Sequence, residues 1–280
     1  MFDIYAAVTD RIITALESGI IPWHQPWVGG SNLAINYNTG KPYSLLNQML
    51  LGKPGEWLTF KQCQSAGGKI RKGEKSSMVV FWKWLTVEDE ETGEEKEIPF
   101  LRYYNVFHIS QCEGVEPRHI KPGELPNVAE TIDAAHDVIY DYLGREGVTL
   151  THVHGGRAFY RPSTDEIVLP LRSQFVSTAE FYGTLFHELT HSTGHEHRLN
   201  RFSENGSDAA FGSEEYSKEE LVAEIGSAAL LNRLGIESDA SFRNSAAYIQ
   251  SWLKALKNDK RMIVSAAGRA DKAVQLILGE

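Results

Sequence analysis

Two histidines four residues apart, with a glutamate directly after the first, are the residues of this chain best suited to chemistry. If His187-Glu188-Leu189-Thr190-His191 is helical, both imidazoles lie on one face, one turn apart, where they can hold one metal ion. Glu188 can then reach a metal-bound water and take its proton. The pattern predicts hydrolysis assisted by a divalent metal, with Glu188 as the catalytic residue.

The surrounding sequence predicts the helix that this spacing requires. Ser177 followed by Glu180 makes a capping box, and Gly194 offers a C-terminal stop. Between them, apolar residues recur at helical spacing and predict a buried face. Upstream, the stretches 158–160 and 166–169 form a hairpin-like pattern. This arrangement resembles that of zinc peptidases, which implies an edge strand beside the motif helix that can align an extended substrate.

The third metal ligand has two competing assignments. Residues 187–197 match the pattern HExxHxxGxxH, in which His197 is the third ligand. Proteins with this pattern also have a methionine in a tight turn beneath the metal. Met262, the only methionine downstream, lies in a basic stretch without an obvious tight turn. Alternatively, a second predicted helix brings a carboxylate across. Glu224 lies in an apolar run where an unpaired carboxylate is costly to bury, so we favour Glu224 as ligand and Glu220 as partner of a ligating imidazole. The reverse assignment of these two glutamates stays open.

The expected cofactor is one divalent ion, with zinc favoured and manganese or another divalent ion as alternatives. Candidate contacts to the substrate or its oxyanion are His195, Arg198 and Tyr216, which all follow the motif. Such side chains can donate hydrogen bonds to an oxygen that gains charge during hydrolysis.

Composition indicates a cytoplasmic globular protein. The 280 residues are 42% hydrophobic, enough for two modest cores, and no apolar run approaches membrane-spanning length, so no membrane partner is expected. Cys63 and Cys112 lack metal spacing and predict no disulfide framework, as in a reducing interior. The net charge of −9 does not exclude nucleic acid, because acidic residues are concentrated at 88–97, the predicted tip of a hairpin.

Both halves of the chain resemble ArdC-type antirestriction proteins. Residues 187–199 followed by 219–224 resemble the metallopeptidase domain of that family, in which the position of His197 commonly holds other residues. The segments that resemble its amino-terminal single-stranded-DNA-binding domain are 21–27, 36–47, 57–61, 67–75 and 106–107. The resemblance implies an α+β fold of two domains, a single-stranded-DNA-binding domain at 1–125 and a zincin-like metallopeptidase domain at 126–280.

Single-stranded DNA is therefore the expected partner of the first half. Unpaired bases expose both faces, and stacking on an aromatic ring contributes about 1–3 kcal/mol per base, while cationic side chains hold the phosphates. Phe81, Trp82 and Trp84 are weaker candidates, because their alternation predicts a strand. The residues expected to bind DNA are Trp23, Trp27, Tyr43, Trp57, Lys61, Lys69, Arg71, Lys72 and Lys75.

Two functions stay open. The first is an antirestriction protein that binds incoming single-stranded plasmid DNA during conjugation and carries a zinc-type metallopeptidase able to act on a host protein. The second is a non-enzymatic single-stranded-DNA-binding protein whose metal site is structural or regulatory. The intact motif retains Glu188 as a general base, which a purely structural site does not need, and this favours the first function.

Overall fold

Helices and strands are present in both halves of the computed structural model, which describes residues 2–24, 33–88, 95–119, 128–202, 214–236 and 246–280. The helices in these ranges are α1 (Ile4–Glu17), α2 (Leu45–Leu51), α3 (Phe60–Ser65), α4 (Val128–Glu146), α5 (Thr178–Ser192), α6 (Glu214–Arg233), α7 (Ala246–Asn258) and α8 (Met262–Leu278). The strands are β1 (Ala34–Asn36), β2 (Gly55–Thr59), β3 (Lys69–Ile70), β4 (Ser77–Glu88), β5 (Glu95–His108), β6 (Cys112–Glu113), β7 (Thr149–Val153), β8 (Phe159–Arg161) and β9 (Glu166–Pro170). The α+β fold class is confirmed.

A four-stranded sheet in the order β1-β2-β5-β4 forms the centre of the first half. Its long antiparallel hairpin, β4 with β5, is the hairpin that the sequence predicts, although residues 89–94 of the acidic tip lie outside the described residues. Asn47 on α2 holds this sheet from one side, because its amide donates to the Val80 carbonyl at 2.7 Å and accepts from the Val80 N–H at 2.8 Å.

One hydrophobic core joins the two halves. The apolar face of α1, with Val8 and Ile12, packs together with Leu221 of α6 and with α7 and α8. The rings of Trp23 and Trp252 meet edge to face in the same core, with centroids 5.2 Å apart. The boundary predicted at residue 125 lies outside the described residues, and side chains from both sides of it fill this core.

The second half places a three-stranded sheet, in the order β7-β9-β8, beside helix α5. Strand β9 is central and its residues Ile167 and Leu169 are fully buried, in one core with Phe186 and Leu189 of α5. Tyr142 on α4 adds a buried hydrogen bond of 2.8 Å to the Ser192 hydroxyl at the end of α5. These contacts fix the position of the motif helix.

Cys63 and Cys112 are free thiols. Among the residues described, no helix combines the length and the apolar character that crossing a membrane requires.

Candidate metal centre

Helix α5 carries the motif, and its ends are those that the sequence predicts. Ser177 accepts a hydrogen bond from the Glu180 N–H at 3.0 Å, and Glu180 in turn accepts one from the Val176 N–H at 2.9 Å. After the helix, a β-carbon at Gly194 would come within 2.8 Å of the Phe202 ring, so glycine lets that ring pack closely against the turn. The predicted N-cap at Ser177 is confirmed, whereas the Glu180 carboxylate accepts from Val176 and does not complete the predicted capping box.

Close packing of α6 on α5 brings carboxylates opposite the histidines. A β-carbon at Gly226 would lie 2.6 Å from Cγ2 of Thr190, so the absence of a side chain lets the helices approach. One residue further along, Ser227 donates a 2.7 Å hydrogen bond to the Gly183 carbonyl. These two contacts set the rotation of α6 and therefore decide which of its glutamates face α5.

His187, His191 and Glu220 converge on one point. The Nε2 atoms of the two histidines are 3.1 Å apart. The Glu220 carboxylate places one oxygen 3.6 Å from His187 Nε2 and the other 3.4 Å from His191 Nε2. Donor atoms about 2.0–2.2 Å from a tetrahedral metal are separated from one another by about 3.3–3.6 Å. The three side chains therefore fit a single divalent ion.

The electrostatics of this group favour positive charge between the ligands. Burial alone lowers the pKa of His191, but hydrogen bonds to Glu219 and Glu220 outweigh burial and raise that pKa to about 10. For His187 the hydrogen bond to Glu220 likewise overcomes burial and raises the pKa. Burial opposes ionisation of Glu220, yet the two imidazoles hold its pKa well below the usual range. A divalent cation supplies the same positive charge once the imidazoles are neutral.

Behind His191 lies a buried pair that sequence reasoning missed. Glu219 places a carboxylate oxygen 3.3 Å from His191 Nδ1, on the side of the ring away from Nε2. Arg201 grips Glu219 with two hydrogen bonds of 3.0 and 2.7 Å, and also donates to Thr193 and to the Thr190 carbonyl. A carboxylate on the outer nitrogen orients a metal-ligating imidazole and increases its basicity. The sequence feature that could have indicated this contact is the pair of adjacent glutamates, Glu219 and Glu220.

Glu224 contacts His187 from the opposite side and connects it to the first half of the chain. Its carboxylate lies 3.8 Å from His187 Nδ1 and 3.3 Å from His24 Nε2. His24 and Glu224 are both largely buried, with 11% and 19% of their side chains exposed. Glu224 therefore stands where it can orient His187, and Glu220 stands on the Nε2 side, which reverses the arrangement that we favoured from sequence.

The other candidates near the motif lie in different settings. His197 is 79% exposed and pairs with the neighbouring Glu196 at 3.5 Å, so the geometry gives no support to coordination by its imidazole. His195 is partly buried, and its Nδ1 accepts a hydrogen bond from the His197 N–H at 3.3 Å. Tyr216 is partly buried in the first turn of α6.

Arg198 is committed to structural contacts. Its side chain is 3% exposed, and its guanidinium forms two hydrogen bonds with Asp165, at 2.9 Å and at 2.5 Å. It also donates to the Tyr160 hydroxyl at 3.1 Å and to the Ser192 carbonyl at 2.8 Å. Arg198 thereby ties the turn between β8 and β9 to the end of α5.

The residues expected to bind DNA fall into two groups. Trp23, Tyr43 and Trp57 are only 6%, 7% and 3% exposed, so they belong to the core and their rings cannot stack on bases in this conformation. Trp27 lies outside the described residues. The cationic candidates are all exposed, namely Lys61, Lys69, Arg71, Lys72 and Lys75.

Comparison with known proteins assigns a family to both halves. Residues 2–107 match the N-terminal domain of anti-restriction factor ArdC, and residues 139–269 match a zincin-like metallopeptidase. The fold superposes on a metal-free crystal structure of the antirestriction protein ArdC from plasmid R388 with a TM-score of 0.77 and 38% sequence identity, over 99% of this chain and 97% of that one. The chain belongs to the ArdC antirestriction family. It carries the divalent-metal site formed by His187, His191 and Glu220.

Other relatives of this ArdC family member differ in length. A Mn(II)-bound crystal structure of the plasmid ArdC matches equally well, with a TM-score of 0.77 and 37% identity over 99% of this chain and 98% of that one. An uncharacterised Sinorhizobium fredii protein, y4eC, is 34% identical over 96% of this chain and 90% of its own length. Two Escherichia coli DNA primases, both TraC, are 37% identical over 97% and 98% of this chain, which spans only 26% and 20% of their lengths.

Proposed function

We propose that this chain protects incoming plasmid DNA from restriction during conjugation by binding single-stranded DNA and by hydrolysing peptide bonds of a host protein. The observation that carries the enzymatic part is the triangle of His187, His191 and Glu220, with Glu188 next to the first ligand. In this proposal Glu220 is the third ligand, whereas Glu224 and Glu219 orient the two imidazoles. The ion is zinc or manganese.

When bound, a divalent ion lowers the pKa of water toward about 7 and polarises a peptide carbonyl. Glu188, which is 7% exposed, takes the proton of the attacking water and delivers it to the leaving amine. His187 and His191 must be neutral to coordinate, and the carboxylates on their Nδ1 atoms hold both rings in the tautomer that leaves Nε2 free for the ion.

Strand β8 supports the proposed peptide specificity. It packs against α5, and among the described strands it pairs only with β9, so its outer edge can pair with an extended substrate. The hydrogen bonds that Tyr160 forms with Asp165 and Arg198 stiffen this edge. A peptide added there runs alongside the helix that carries Glu188.

Binding of single-stranded DNA is supported by the ArdC match of residues 2–107 and by the exposed cations of the first half. Those cations are not all equally placed to contact phosphate. Lys69 pairs with Glu113 at 3.0 Å and Arg71 with Glu74 at 3.2 Å, whereas Lys61, Lys72 and Lys75 are exposed cations in the same region.

The test combines metal analysis, proteolysis and plasmid transfer. The full chain loaded with zinc or manganese should cleave denatured casein, and Glu188→Gln should keep its metal but lose cleavage by at least about 100-fold, because the general base is gone. Transfer of a plasmid into a restricting recipient should then fall with the same substitution. If Glu188→Gln protects the plasmid as well as the unaltered protein, the non-enzymatic function is correct and the metal is structural or regulatory.

A further inference from the structure

Exposed aromatic rings cluster beside the β4–β5 hairpin, away from the tryptophans that the sequence favoured. Trp82 is 45% exposed and Tyr103 is 43% exposed. The strand register places Trp82 opposite Leu101 and Val80 opposite Tyr103, so Trp82 and Tyr103 lie on one face of the sheet. Val80 and Leu101 of this face are buried in the shared core, and the two rings stand at its margin.

Helix α1 extends this row of rings. Phe2, immediately before the helix, is 58% exposed and its ring lies 5.0 Å from that of Tyr103. Tyr5 lies on α1 with its ring centroid 6.2 Å from that of Trp82. Four aromatic side chains, from β4, β5, α1 and the residues before α1, thus form a partly exposed row that the core does not fully cover.

A cationic groove runs beside Tyr5 and Trp82 and encloses about 370 Å³, within the range of ligand pockets of about 300–1,000 Å³. Lys218 of α6 and Arg261 and Arg269 at α8 line it. The Arg261 guanidinium lies over the Tyr5 ring, 5.3 Å from its centroid. Among the residues that line this groove, Asp259 is the one carboxylate, 3.8 Å from Lys218.

The charge of this groove is opposite to that of the chain, whose net charge is −9. Three cations face one carboxylate along its lining. Phosphates of a nucleic acid are complementary to such a surface, and the adjacent rings are suited to unpaired bases rather than to the closed stack of a duplex. A lining with more cations than carboxylates favours a polyanion over an apolar protein segment, so charge complementarity decides between these occupants.

We propose that this groove, built by α1, β4, α6 and α8, binds single-stranded DNA, with bases stacking on Trp82 and Tyr103 and phosphates contacting Arg261, Arg269 and Lys218. The assignment rests on the proposed binding of single-stranded DNA. It places the binding surface on both halves of the chain, since the rings come from the first half and the cations from the second.

The test uses the full chain and a fluorescein-labelled oligothymidine, with affinity measured by fluorescence anisotropy. Trp82→Ala should weaken binding by about 10-fold, because one stacked base is lost, and Trp82→Phe should restore most of it. Tyr140→Ala is the matched control, since Tyr140 is 65% exposed on α4 and lies outside the groove. Thermal melting of each variant verifies that the fold is retained.

Charge should be separable from stacking. Arg261→Glu, at an exposed position, should weaken binding by about 10-fold or more and reduce the slope of affinity against salt by about one or more, whereas Trp82→Ala should leave that slope unchanged. Lys254→Ala, an exposed cation on α7 outside the groove, should match the unaltered protein.

The outcomes distinguish the groove from the function on which it rests. If the unaltered chain does not bind oligothymidine, the proposed DNA-binding function fails. If it binds and neither Trp82→Ala nor Arg261→Glu changes the affinity, the groove assignment is overturned while the function stands. Loss of binding only in the double variant Arg71→Ala with Lys72→Ala would place the DNA on the exposed cations of segment 67–75 instead.

Discussion

The metal centre takes its three ligands from two crossing helices, whereas the proposed DNA groove draws its rings and cations from four separate elements. In the metal centre, each ligating imidazole faces a second, largely buried carboxylate, Glu224 beside His187 and Glu219 beside His191. In the groove, no comparable hydrogen-bonded support is described for Trp82 or Tyr103. One site therefore depends on a few fixed atoms, and the other on the sum of many weak contacts. Single substitutions should expose this difference.

The largest effect is expected from the ligating imidazoles. His187→Ala or His191→Ala should abolish stoichiometric metal, because two remaining donors cannot hold the ion against water. Elemental analysis after dialysis measures this. His195→Ala, which alters a neighbouring histidine outside the ligand group, should retain the metal and serves as the control. Full metal content in both ligand variants would remove the site from this helix.

Substitution of Glu220 or Glu224 on α6 should give the next largest effect, and the comparison of the two identifies the third ligand. Glu220→Ala should weaken metal binding by more than about 100-fold, Glu224→Ala by about 10–100-fold, and His197→Ala hardly at all. Competition with a chromogenic chelator gives the three affinities. If Glu224→Ala proves the more damaging, Glu224 is the ligand and Glu220 the orienting group, as the apolar sequence around Glu224 first indicated.

Acidity should change the metal centre through its histidines. Because their pKa values are raised in the metal-free protein, with that of His191 at about 10, coordination must expel protons. Affinity should therefore rise with pH, by up to about tenfold per pH unit for each proton expelled. The metal-free protein is stabilised by protonated His191 below about pH 6.5 and loses this stabilisation as pH rises toward the folded pKa.

Differential scanning calorimetry at several pH values checks this. The Tm difference between metal-loaded and metal-free protein should widen as pH increases. In His191→Ala the metal-free protein should lose most of this pH dependence. A Tm difference that stays constant as pH increases would show that the histidines are neutral before the ion binds.

The smallest effect is expected at the contact between the halves. His24→Ala should weaken metal binding by about tenfold or less, because His24 acts on the ion only through Glu224 and His187. The chelator competition above measures it, and Arg157→Ala, at an exposed residue of the second half, is the control.

Since His24 closely precedes the segment 25–32, saturating oligothymidine should alter the metal affinity of the unaltered protein more than that of His24→Ala if DNA reaches this segment.

The sequence predicted correctly those site residues that lie close together along the chain. His187, Glu188 and His191 lie within one helical turn, so their spacing alone specifies their geometry. Glu220 and Glu224 share one face of α6, and choosing between them requires the position of α6 along α5, which the close contact at Gly226 helps to set. That contact depends on tertiary packing and leaves no periodic signal.

Partners from distant elements were missed for the same reason. Arg201 meets Glu219 across 18 positions of sequence, and His24 meets Glu224 across 200. Aromatic residues were misplaced because a large ring is compatible with core and surface alike. Trp57 proved to be core, and Trp82, a weaker candidate because of its strand pattern, is 45% exposed.

The core shared by α1, α7 and α8 has a consequence for how this protein unfolds and for how its fragments behave. Cutting the chain near residue 125 would strip Val8 and Ile12 of their partners and uncover apolar surface on both pieces. Unfolding should therefore be a single cooperative transition. Two fragments produced separately, 1–125 and 126–280, should be poorly soluble alone and reassemble on mixing. The two halves should therefore behave as complementary fragments. The peptide link between them mainly keeps each half at a high local concentration around the other.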